Sequence, residues 1–305
     1  MKIQYKLEGG RLVTTPEVDS PISVYVKPTE EEKLYLVQEL KLDEHTLASA
    51  LDPDESARLE FEPEHHALIF KVPLKYSADE PFIFRVTSVG AFLFKGRLVI
   101  VSAAEITPII EAMRFKGTPS LEWLVLRLFY RSIYSFIEHL KVISTVSDEL
   151  QMKITVSMDN RYLINLFSLQ KSLVYYLNFI NSNGTALQRL SNHAARIGFS
   201  EEEKELLDDI LIENSQCRQQ AEIYSNILAS LMDARASIVS NNLNIRIKLL
   251  TIITIGIMVP TLIVSAFSMN VPIPLQHHPW SFWFVMGLAT VSALGLYLMV
   301  RWEKL

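Results

Sequence analysis

The chain of 305 residues has one cysteine, Cys217. A lone cysteine excludes an intrachain disulfide and suits a reducing compartment. Its expected place is a small buried position in a helix. The first ten residues, MKIQYKLEGG, carry no apolar signal run. No glycine-rich phosphate loop occurs. The histidines are scattered, and no nucleophile and base can be paired, so neither an enzyme nor a bound cofactor is expected. Lysine and arginine do not cluster on an aromatic platform, which argues against nucleic-acid binding. The net charge of −5 is compatible with attracting cations.

Two stretches lack charge altogether: residues 249–267, LLTIITIGIMVPTLIVSAF, and residues 281–300, SFWFVMGLATVSALGLYLMV. Each is long enough to cross about 30 Å of hydrocarbon as a helix, the form that pairs every backbone group internally. Arg246 and Lys248 precede the first run, and Arg301 and Lys304 follow the second. The connecting loop has no lysine or arginine. This asymmetry predicts a multi-pass plasma-membrane protein with both termini in the cytoplasm and the loop outside. Trp280, Trp283 and Trp302 suit the two interfaces.

Residues 1–105 read as a cytoplasmic α/β domain. Strand-like segments recur at 22–27, 67–72, 82–86 and 97–102. A helix is expected over TEEEKLYLVQEL, with Thr29 as N-cap and Glu32 completing a capping box. His65 and His66 are adjacent to strand-like sequence, but adjacency alone defines no metal site, and a structural or solvated role is expected. Residues 106–248 read as a helical and stalk region, with helical segments at 120–148, 151–182 and 201–248. SNG at 182–184 is the clearest break, and Ser200 is a good cap before an acidic first turn. One stripe runs through Leu207, Ile210, Asn214, Cys217, Ala221, Tyr224, Leu228 and Leu231 at alternating spacings of three and four. Strict continuation lands on Arg235, which suits a buried seam poorly. The apolar side is expected to resume one residue early, at Ala234, Ile238, Asn241 and Ile245. Without proline or glycine over residues 201–255, the helix is expected to run on into the membrane and to need partners.

Inside the first span, 249–268, Thr251, Thr254, Met258, Thr261, Ser265 and Ser268 share one helical face. One reading is helix packing, with hydroxyls satisfied on their own helix or across an interface. The other is a pore wall, with one such helix per subunit around an axis. Asn270 then lies at the outer end, where its amide oxygen accepts hydrogen bonds from ion-bound water. Magnesium prefers oxygen and dehydrates reluctantly. Met258 and Leu250 are candidate apolar constrictions, and Pro260 is expected to loosen the helix beside Met258. The second span, 281–300, shows no such stripe. The external loop 269–280 and the basic tail 301–305 complete the plan.

The membrane region resembles the CorA-like magnesium and cobalt transporters. The matching residues are NNLNIRIKLLTIITIGIMVPTLIVSAFSMN, a short loop, a second span and the tail RWEKL. The family's Gly-Met-Asn signature reads Ser268-Met269-Asn270 here. The resemblance implies an α+β cytoplasmic domain, long stalk helices and a two-helix transmembrane hairpin, assembled as a funnel-shaped homopentamer. It implies that the first spans line the pore and that Asn270 binds hydrated magnesium at the mouth. Met258 and Leu250 fall on its constrictions, Thr254 on its pore threonine and Asn244 on a further asparagine ring. It also implies regulation by magnesium between cytoplasmic domains. The ligands for that ion are not identifiable here, and Asp208 and Asp209 are candidates only through being acidic. Two departures stand out: Ser268 replaces glycine, and the loop VPIPLQHHPW lacks an acid. His277 and His278 offer imidazoles instead, as candidates for metal capture or for pH-sensitive loop polarity.

The leading expectation is a divalent-cation channel favouring magnesium, with cobalt or nickel as further cargo. The alternatives are a zinc or other divalent transporter of the same fold, and a non-conducting oligomeric sensor or scaffold in the membrane.

Overall fold

The computed structural model describes residues 1–17, 20–76, 83–115, 119–156, 160–271 and 277–302. Lys304 and the loop residues 272–276 lie outside these. Met1–Met232 and Asp233–Leu305 are two compact units.

The first unit is built on a seven-stranded sheet: β1 (Lys2–Glu8), β2 (Arg11–Thr14), β3 (Ile22–Val26), β4 (Arg58–Phe61), β5 (His65–Pro73), β6 (Val86–Phe94) and β7 (Arg97–Ser102). Their spatial order is β2-β1-β3-β7-β6-β5-β4. All pairs are antiparallel except β3–β7, whose register runs Ile22↔Leu98 to Val26↔Ser102. The strands are apolar on both faces because both faces are covered. Ala67 and Ile69 of β5 pack with Leu36, Leu47 and Ala50, from helices α1 (Glu30–Gln38) and α2 (Glu44–Leu51). Leu68, Phe70 and Val72 point the other way, into the larger core. That core holds α3 (Thr107–Glu111), α4 (Leu121–Val156), α5 (Asn160–Asn192), the short α6 (Ala194–Ile197) and the first part of α7 (Glu201–Phe267). Phe70 stacks on Phe129 of α4, with ring centroids 4.6 Å apart.

The capping box at Thr29 and Glu32 forms as expected. So does the start of α7: the Glu203 amide donates to Ser200 Oγ at 3.3 Å, and the Ser200 amide donates to Glu203 Oε2 at 2.7 Å. Glu203 also accepts from Ser120, whose own Oγ accepts from the Trp123 amide at 2.9 Å and so caps α4. One buried carboxylate therefore ties together the beginnings of the two longest helices of the core.

Three element boundaries differ from expectation. Of the segment 82–86, Phe82 lies outside the described residues, Ile83 to Arg85 are not strand, and β6 starts only at Val86. The true strand, VTSVGAFLF, is disguised by Gly90. A Cβ there would lie 2.5 Å from the Ala50 Cβ, so the glycine lets α2 approach the sheet. The SNG triplet does not break a helix, because α5 runs through it. Ser182 accepts from the Ala57 amide at 2.7 Å, Asn183 bonds the main chain of Lys71, and Gly184 leaves room for Asn214 of α7. Likewise α4 continues past 148–151 to Val156.

The stripe on α7 is buried from Leu207 to Leu228, with Tyr224 and Leu231 half-buried. Past it, Arg235 is itself buried and Asn242 half-buried, while the slipped positions Ala234 and Asn241 are exposed, so the strict spacing persists and the expected slip does not occur. Cys217 is buried in this stripe, where burial pushes its thiol up to about 12. His65 is buried against the rings of Phe92 and Phe94, and His66 packs edge-on to Phe61, as expected of structural histidines.

The second unit holds the rest of α7 and α8 (Ser281–Trp302). Both helices are long and apolar enough to cross a membrane. Pro260 lies inside α7 without ending it, and it removes the bond to the Gly256 carbonyl one turn back.

Candidate functional site

Within the first span α7 has two unlike sides. Ile252, Gly256, Val259, Pro260, Ile263 and Phe267 are half-buried. Thr251, Thr254, Met258, Thr261 and Ser265 are exposed, as is Ser268 in the turn that follows. At about 100° per residue the two sets lie on opposite sides of the helix. Leu250, 64% exposed, falls on the polar side. Asn244, about four turns before Met258 along the helix, is exposed as well. The polar side therefore faces away from what covers the helix.

Four of the hydroxyls on that side are bonded locally. Thr251 Oγ1 donates to the Ile247 carbonyl at 2.9 Å, Thr254 to Leu250 at 2.8 Å and Thr261 to Ile257 at 2.7 Å. Ser268 Oγ donates to the Ser265 carbonyl at 2.9 Å. A hydroxyl bound this way needs no neighbouring helix to satisfy its proton. Its oxygen lone pairs stay available to accept from other donors. An exposed row of acceptors suits the outward-pointing hydrogens of a cation's hydration shell.

The Ser268 amide also donates to the Ser265 carbonyl, at 3.1 Å, so the last turn closes tightly at the Ser-Met-Asn step. Met269 and Asn270 follow it and are exposed. Serine at this turn is accommodated because its side chain folds back on the helix end.

His277 and His278 are not brought to a ligand set. Among the described residues no three His, Cys, Asp or Glu side chains gather to hold a metal. The His278 ring lies 5.7 Å from that of Trp280, and its carbonyl accepts from the Ser281 amide and hydroxyl at 3.2 and 2.8 Å. This residue helps start α8. Asp208 and Asp209 are exposed near the beginning of α7.

Sequence reading found the polar side but not the covered one. The signals available for it were Gly256 at its centre and Phe267 at its end.

A family profile described as "CorA-like Mg2+ transporter protein" matches residues 24–301. The cobalt/magnesium transport protein CorA of Methanocaldococcus jannaschii is 24% identical over 273 residues, covering 87% of this chain and 84% of that protein. The complete structure of the CorA magnesium transporter from the same organism superposes with a TM-score of 0.82 at 22% identity, over 98% of this chain and 96% of that one. The full-length CmaX protein gives 0.70 at 16% identity, over 99% and 97%. At these identities the two structures show a shared fold.

Proposed function

Because this chain belongs to the CorA-like Mg2+ transporter family, we propose that it is a passive divalent-cation channel whose main cargo is magnesium, with cobalt or nickel as further cargo. Residues 249–268 and 281–300 span the plasma membrane, and both termini are cytoplasmic. Five copies surround one axis, and each presents the exposed side of α7 to it. The observation that carries this reading is the position of Thr251, Thr254, Met258, Thr261 and Ser265, uncovered and opposite the covered side of the same helix.

In this assembly Asn270 forms a ring of amide oxygens at the outer mouth, flanked by Ser268 and Met269. The ring accepts hydrogen bonds from the water around an ion that sheds it reluctantly. It bears no formal charge, so the ion is held weakly enough to leave. Below it the threonine oxygens continue the row of acceptors. Met258 and Leu250 close the path by excluding water when the channel is shut, and Asn244 forms a further ring on the cytoplasmic side. An inside-negative potential of about 100 mV favours entry of a divalent ion by about 4.6 kcal/mol, twice the single-charge value. No chemical step is required.

The test is divalent flux into proteoliposomes, with magnesium, cobalt, nickel and zinc compared for the natural protein and Asn270→Ala. Magnesium flux that is lost in the variant supports the assignment. Zinc-dominated flux replaces magnesium as cargo and turns attention to His277 and His278. No flux from an inserted oligomer overturns the channel in favour of a sensor or scaffold.

A further inference from the structure

His65 begins β5 on the face that carries α1 and α2, because Ala67 and Ile69, two and four residues on, both point into that smaller core. Its ring is 3% exposed and lies against those of Phe92 and Phe94, with centroids 5.7 and 4.8 Å away. Both ring nitrogens are buried and reach no hydrogen-bond partner among the described residues. Buried polar atoms left in this way are rare in folded proteins.

The core beside this ring is the weaker of the two. The helical layer gives it only Leu36, Leu42, Leu47 and Ala50, whereas the core across the sheet draws on five helices. A layer held by so few buried side chains opens at less cost than the rest of its unit. The start of α2 moves as one piece, since the Asp43 carboxylate accepts from the Thr46 amide and hydroxyl at 2.8 and 2.9 Å.

The charged groups around the imidazole come from each side. From β6 it meets only the two phenyl rings. Asp43 stands at the start of α2 with His45 beside it, Glu64 precedes β5, and His66 follows on β5 with its ring against Phe61 on the opposite face. Burial, with His66, holds the His65 imidazole below its ordinary 6.5, and Asp43 and Glu64 oppose them. Neither carboxylate accepts from the ring. Phenyl faces attract a cation, but they do not replace the water that a charged imidazole has lost.

We propose that His65 is a proton-operated latch: uptake of a proton by its ring releases the α1–α2 layer from the sheet. Once the layer lifts, the imidazole is hydrated and holds its proton more tightly than when closed. Falling pH therefore favours the open layer below about 6.5, and above that the latch stays shut. The pathway in the membrane plays no part in this device, so the two stand or fall separately.

The experiment is hydrogen exchange of the full-length protein in lipid nanodiscs at pH 7.5 and 5.5, corrected for the intrinsic effect of pH on exchange. Peptides covering residues 30–51 are compared with residues 124–143 of α4. Opening of the first set is expected to rise about tenfold relative to the second at the lower pH, the effect of one proton taken up over that window. His65→Phe and, independently, His65→Leu keep an apolar contact with β6 and are expected to remove the rise, whereas His66→Phe keeps it. Three results would each overturn the proposal: no relative rise in the natural protein, a rise that persists in both His65 variants, or a rise lost in His66→Phe.

Discussion

Asn183 of α5 takes up both main-chain groups of Lys71 on β5. The Lys71 amide donates to Asn183 Oδ1 at 2.8 Å, and Asn183 Nδ2 donates to the Lys71 carbonyl at 3.0 Å. The reason lies in strand length. Strand β4 pairs with β5 only as far as Arg58↔Ile69, so Lys71 lies beyond its end. A side-chain amide on a helix continues the ladder for one more rung. Both residues are fully buried, and unmade hydrogen bonds there are costly.

Asn183→Leu leaves a buried N–H without its partner and removes one donor from the Lys71 carbonyl, which Ser132 also reaches. The expected loss of stability is about 2–4 kcal/mol. It is read as a lower denaturation midpoint and faster amide exchange at Lys71. Exchange as slow as in the natural protein would show that β5 needs no such rung.

The ammonium of Lys71 gives a pH signature. Burial lowers its pKa from the usual lysine range to about 8, against the opposing influence of Asp52, Glu55 and Asp54. The unfolded chain therefore holds this proton more tightly than the folded one. Between pH 8 and about 10.4 the unfolded state binds more protons, so this residue's contribution to stability rises with pH across that window. Below pH 8 its cost is constant. Melting temperatures of the natural protein and Lys71→Met, taken from pH 7 to 10, are expected to diverge in slope only above pH 8. Parallel curves would place the proton elsewhere.

Gly184 and Asn214 set how closely α5 and α7 approach. A Cβ at Gly184 would lie 2.8 Å from Asn214 Nδ2, which donates to the Ile180 carbonyl at 3.3 Å. Gly184→Val is expected to destabilise by about 1–3 kcal/mol through overpacking. Asn214→Ala in the same chain is expected to recover part of that loss, because the obstructing amide is gone. Additive effects in a double-mutant cycle would deny the contact.

Thr261→Val separates packing from passage. The hydroxyl proton bonds within α7, so its removal leaves no neighbouring helix unsatisfied. Assembly and insertion are expected to survive. Magnesium flux is expected to fall by roughly fivefold, the kinetic equivalent of about 1 kcal/mol, whereas Thr261→Ser retains most of it. Loss of the oligomer in Thr261→Val would assign the hydroxyl to helix packing.

What the sequence disclosed depended on how far each signal reached along the chain. The caps at Thr29 and Ser200 were legible because a capping box is complete within four residues. The two apolar runs were legible from length alone. Ser182, Asn183 and Gly184 were misread because turn chemistry and helix packing draw on the same residue types. Only the tertiary partners Ala57, Lys71 and Asn214 distinguish them. Arg235 was misread because charge was weighed against spacing, and spacing prevailed. On the membrane helix the polar residues announced themselves, but the direction of their hydroxyl protons depends on backbone coordinates.

The single parallel seam between β3 and β7 also sets an order of events. Strands β4 to β7 succeed one another antiparallel, and β1 pairs with both β2 and β3, so each group forms through short connections. Joining them requires Ile22 to meet Leu98 across everything made in between. Closing that large loop costs chain entropy before any contact repays it. The half-sheet of β1 to β3, with the edge of β3 open, must therefore wait for β7 to leave the ribosome. The interval before it does is when the nascent chain is most open to pairing with the wrong strand.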